Sequence, residues 1–124
     1  MLKHGLLALL IVMTATAGIA HAQQKKGANG GMVVTSQGHP IEFVVKGQDL
    51  VFYINDDDGS PLSTKKVRGR ATVQDGGKTT TVPLEPAAPN MMIGKLQAPF
   101  GSKARVVFSA SLPGHALTAR YVTE

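Results

Sequence analysis

Cysteine and tryptophan are both missing from this chain. Without thiols there is no cysteine nucleophile, no thiolate metal site and no disulfide exchange. A disulfide frame, on which small exported domains often lean, is equally excluded, so apolar burial must hold the fold. Aromatic residues are scarce, at 5% of the sequence. Nucleic-acid binding calls for clustered Lys and Arg beside exposed aromatics. The one basic cluster, Lys65, Lys66, Arg68 and Arg70, has aromatic neighbours only in predicted core strands. It therefore reads as a solvated strand face. Long hydrophobic runs are lacking too. The longest apolar stretch, Leu6 to Met13, falls well short of the roughly 20 residues that span a bilayer.

That run nevertheless has a reading. Lys3 and His4 precede it, and small residues follow it to Ala20-His21-Ala22. A polar start, a short apolar core and an A-x-A site make a secretory signal peptide over residues 1–22. Cleavage after Ala22 leaves Gln23 first, and Gly18-Ile19-Ala20 offers an alternative that leaves His21 first. The expected compartment is the periplasm, with secretion as the second choice. Removing the leader costs one lysine and no acid, which lowers the formal charge from +5 to +4. No cysteine is available for a lipid anchor, so no stable membrane anchor is expected.

The Gly-, Gln- and Lys-rich segment 23–31 reads as a flexible tail, and 32–124 as a single domain. Within it every signal is β. Pro40 to Lys46 alternates, with Ile41, Phe43 and Val45 on one face. Leu50 to Ile54 carries apolar residues on both faces. Lys66 to Gln74 places Val67, Gly69, Ala71 and Val73 inward. Asp75-Gly76-Gly77-Lys78 is a hairpin signal, because its glycines accept the positive φ of tight turns. Thr79 to Leu84 returns, and Glu85 to Pro89, with two prolines, should break the sheet. Met91 to Leu96 is a short strand. Arg105 to Leu112 alternates, Pro113-Gly114 turns, and His115 to Val122 closes with Leu117, Ala119 and Tyr121 on one face. Seven or eight short strands at this spacing predict an antiparallel, immunoglobulin-like Greek-key sandwich, with a small closed barrel as the alternative.

Three constellations could carry chemistry. Asp56-Asp57-Asp58-Gly59 suggests a calcium loop, but an EF-hand needs glutamate at position 12, which here is Val67. An acidic turn whose aspartates bond their own backbone is the better account. His39 and His115 both start strands, and with Met32, Met91 and Met92 they supply the imidazole and thioether that suit copper. An N-terminal His21, if exposed by the shorter cleavage, would add an amine and a third imidazole. For catalysis the serines 36, 60, 63, 102, 109 and 111 show no G-x-S-x-G, and no carboxylate pair or phosphate loop is in place. The expectation is a protein that is not an enzyme.

Gly38-His39-Pro40, an aromatic strand, Asp57-Asp58-Gly59-Ser60-Pro61, Arg70-Ala71-Thr72-Val73, Thr81-Val82-Pro83-Leu84 and Gly94-Lys95-Leu96 follow one another in order. In this order the chain resembles small exported β-sandwich proteins of the YtkA-like and copper-resistance (CopC-like) type, several of which accompany heavy-metal efflux systems. The resemblance implies a periplasmic accessory protein, metal-binding or efflux-associated, with copper as the ligand and envelope or efflux proteins as partners. The competing expectation is an interaction module with no ligand of its own, pairing through an edge strand or a sheet face.

Overall fold

The computed structural model describes residues 25–101 and 103–123. The leader assigned to 1–22 lies outside the described residues. Nine strands occur among the described residues: β1 (Lys25–Lys26), β2 (Met32–Ser36), β3 (His39–Lys46), β4 (Asp49–Ile54), β5 (Arg68–Asp75), β6 (Lys78–Ala87), β7 (Met91–Lys95), β8 (Ala104–Leu112) and β9 (His115–Val122). All pairings are antiparallel, in the order β1-β2-β3-β4-β7-β6-β5-β8-β9. The coarse expectation, an all-β antiparallel domain, holds. The strands form one continuous curled sheet of nine rather than seven or eight.

Two differences account for the count and the continuity. Lys25–Lys26, expected in a free tail, pairs with Met32 and Val33. Glu85 to Pro89, expected to break the sheet, instead lies mostly within β6, which runs on to Ala87. This strand changes partners partway along. Gly69 to Asp75 of β5 pair with Lys78 to Leu84, and Met91 to Ile93 of β7 pair with Glu85 to Ala87. Proline tolerates this place because a strand that switches neighbours needs fewer ladder donors than a regular central one. β6 is thus the bend through which one half of the sheet turns to face the other.

The period-two pattern decides what the bend buries. Ile41, Phe43, Leu50, Phe52, Ile54 and Met92 point inward from one half. Ala71, Val73, Val106, Phe108, Leu117 and Tyr121 meet them from the other. The rings cross the gap: Phe52 and Phe108 lie 4.7 Å apart, and Phe43 and Tyr121 5.1 Å. Tilted rings at these separations suit the aromatic quadrupole. The Tyr121 hydroxyl, buried among them, donates to the Ile41 carbonyl at 2.7 Å, tying β9 to β3. Burial, reinforced by the nearby Glu42 carboxylate, pushes this phenol far above its ordinary range and keeps it protonated as a donor. Beside this tie, Thr118 N donates to Ser36 Oγ at 3.0 Å, so β9 and β2 meet where the sheet curls round on itself.

Glu42 points away from this core by register yet is buried. The segment Gly27–Gly31 folds over it. Asn29 N donates to its carboxylate at 2.9 Å, Asn29 Nδ2 at 2.9 Å and Gly31 N at 2.7 Å. A Cβ on Gly27 would stand 2.2 Å from the Glu42 carboxyl carbon, so only glycine lets the loop approach. This carboxylate is what converts the expected tail into a strand. Glu42→Ala strands two backbone donors, and a loss of about 1–3 kcal/mol follows from their desolvation. A urea midpoint equal to that of the parent would contradict this role. Phe52→Ala, at the centre of the ring cluster, is expected to cost about 3–5 kcal/mol in the same titration.

Candidate metal site at the open end of the sheet

His39 opens β3 two residues before Ile41, and His115 opens β9 two residues before Leu117. Ile41 and Leu117 are core residues, so both histidines hold inward register one step beyond the last buried layer. The Tyr121 tie brings their two strands together. The rings stack with centroids 5.4 Å apart and planes 20° apart. His39 is half-buried and His115 exposed, so the pair forms a lip over the core.

The loop after β4 fixes the orientation of His39. Nδ1 lies 3.0 Å from the Asn55 carbonyl oxygen. A carbonyl can only accept, so Nδ1 carries the hydrogen and the neutral ring presents the Nε2 lone pair. Metal-binding histidines are commonly held by such a bond on the second nitrogen. Asp56 Oδ1 stands 3.8 Å from the same Nδ1 and adds negative charge beside the ring. Asn55 is itself held. Asn90 Nδ2 donates to Asn55 Oδ1 and to the Ile54 carbonyl, both at 3.0 Å, and Asn55 N donates to the Pro40 carbonyl. Buried Thr64 anchors the following crossover by donating to the Met91 carbonyl at 3.0 Å.

The methionines do not join the histidines. Met92 is fully buried opposite Phe52 in the middle of the core. Met91, its neighbour on β7, faces the other side of the sheet. Met32 pairs with Phe43, four residues along from the Ser36–His39 pair, about 13 Å away at strand rise. Of the expected set His39, His115, Met32, Met91 and Met92, the structure brings the two histidines together and leaves the three methionines apart from them. Met92 and, in part, Met32 pack in or against the core, where a flexible thioether fills gaps. Among the described residues, no group of three or more His, Asp or Glu side chains gathers as a ready cage for a metal ion.

The acidic turn behaves as a turn. Ser60 N and Ser60 Oγ donate to Asp58 Oδ1 at 2.9 and 2.6 Å, and Asp56 N and the Ser60 carbonyl close the loop at 2.7 Å. The Ser60 hydroxyl, then its backbone N–H, holds the Asp58 carboxyl below its usual range. Sequence reasoning missed Asn55 and Glu42. Asn55 acts through its backbone, and Glu42 sits at a register position that normally faces water.

No family model, curated protein or solved structure matches this chain.

A depressed carboxyl pKa stabilises its turn above the unfolded value and ceases to do so as pH falls through the folded one. The Ser60 amide should therefore lose exchange protection only below the ordinary aspartate range, while core amides such as Phe108 stay protected. Protection of Ser60 that is already absent at neutral pH would contradict the turn.

Proposed function

We propose that this chain is a non-enzymatic accessory protein exported to the periplasm, and that it binds a copper-type metal ion through His39 and His115. One observation carries the reading: two strand-initial histidines, far apart in sequence, meet ring to ring at 5.4 Å with one ring pinned by a carbonyl. Copper or zinc accepts imidazole nitrogen, and without thioether the pair suits Cu(II) or Zn(II) better than Cu(I). Stacked rings do not aim at one ion, so binding turns the exposed His115 out of the stack until both lone pairs converge. Two imidazoles leave coordination positions for water or for a ligand from a partner. An open site of this kind suits hand-off to an envelope or efflux protein. The return of β8 to lie beside β5, after the β5-β6-β7 meander, supports an immunoglobulin-type Greek-key sandwich as the finer reading of the fold.

The second reading, a ligand-free interaction module, draws on the sheet edges. β9 ends the ladder with an exposed Val122, and β1 covers only two residues of β2. An added strand could pair there.

Native mass spectrometry with stepwise copper and zinc separates the two. The metal reading predicts one ion held at micromolar concentration, lost in His39→Ala and His115→Ala and released as pH falls through the histidine range. Uptake that is absent, or unchanged in both variants, overturns it in favour of the edge-pairing module.

A further inference from the structure

All four arginines of the sequence, Arg68, Arg70, Arg105 and Arg120, point outward from the same half of the sheet. Register places them on one surface. Arg70 pairs with Ser109, which pairs with Thr118, and Arg120 pairs with Val107, which pairs with Thr72. Arg68 and Arg105 stand at opposite ends, because Arg68 opposes Ser111 and Arg105 lies six residues earlier on the same strand. At strand rise and spacing the surface measures about 20 Å by 15 Å. Serine and threonine hydroxyls fill the space between the guanidinium groups. Among the described residues, no carboxylate lies within ion-pair distance of any of the four. Among the described residues, the one acid on this face is Glu85, at its corner on β6. Glu42, Asp49 and Asp56 to Asp58 belong to β3, β4 and the loop after it. The outward face of β5, β8 and β9 is therefore basic, exposed and unpaired among the described residues.

We propose that this arginine face docks the protein on an anionic phospholipid surface. Guanidinium groups match phosphate in planar, two-point fashion, and a bilayer presents phosphates in a plane. The alternatives fit the face less well. It carries no aromatic ring on which a base could stack, as single-stranded nucleic acid requires. It also lacks the apolar or aromatic centre around which protein interfaces form, since its largest apolar groups are Val107 and Val122. The same lack excludes an inserted anchor, so adsorption stays at headgroup level. The inference is independent of the metal reading, because no histidine lies on this face.

The test is co-sedimentation with vesicles of phosphatidylcholine alone and of phosphatidylcholine mixed with phosphatidylglycerol. Binding is expected only to the mixed vesicles, weakening as salt shortens the reach of charge. Arg70→Gln, Arg105→Gln and Arg120→Gln should each lower the affinity about fivefold, the effect of one cation at a charged surface, with thermal midpoints unchanged. Equal pelleting with both vesicle types, or Gln variants that bind like the parent, would overturn the proposal. Retention by a soluble sulfated polysaccharide without vesicle binding would overturn it too, and would assign the face to a glycan.

Discussion

The closure of the sheet depends on the contact between Tyr121 and the β3–β4 hairpin. A chain without cysteine has only burial to hold its two halves, and the aromatic residues are few. Four of the six, Phe43, Phe52, Phe108 and Tyr121, are spent on the one place where the halves meet. Tyr121 adds to this packing a buried hydrogen bond to a backbone carbonyl of the opposite half. Burying that hydroxyl would be costly without an acceptor, and Ile41 supplies one, so the tie fixes position as well as distance. The same facing of β3 and β9 that brings Tyr121 to Ile41 also brings His115, six residues before Tyr121, beside His39, two residues before Ile41. The candidate site is a consequence of how the core closes.

The supporting parts follow from this. β6 must bend so that the halves can face each other, and it does so between Leu84 and Glu85, where its partner changes. Gly94 accompanies the bend: a Cβ there would come within 2.7 Å of Leu84 and Val82, so the strand packs as closely as a bare backbone allows. The long crossover from β4 to β5 is held by Thr64 and Asn90 rather than by apolar packing alone, and all buried side-chain polar atoms among the described residues are partnered. Those bonds position Asn55, whose carbonyl orients His39. The second consequence is that register gathers the four arginines on the outward face of β5, β8 and β9.

Local structure was largely legible in the sequence. The alternation in β8 and β9 named the inward residues, and in β3 it named Ile41 and Phe43, while Val45, expected beside them, is exposed. The Asp75–Lys78 and Pro113–Gly114 turns were read from glycine and proline chemistry alone. What could not be read was non-local. Whether His39 meets His115 or Met91 depends on which strands face each other across the core, and spacing along the chain carries no such information. Methionine is ambiguous by nature, since the thioether that ligates copper is also a good core filler, and Met92 proved to be the latter in placement. Glu42 was misread because period-two patterning assigns its position to water, and nothing short of the folded Gly27–Gly31 loop reveals three donors waiting there. Pro86 was taken for a sheet breaker because sequence cannot show that its strand changes neighbours. The arginine face was half visible as a cluster at residues 65 to 70, but Arg105 and Arg120 join it only through the β5-β8-β9 register.

The most direct measurement is the NMR response of the folded protein to substoichiometric Cu(II), whose unpaired electron broadens nearby nuclei. The account predicts that the ring signals of His39 and His115 disappear first and together, with the Asn55 and Asp56 amides next, while the Met32, Met91 and Met92 methyls stay sharp. Broadening of one histidine alone, or of methionine methyls before histidine rings, would contradict a site made by the closure of the sheet.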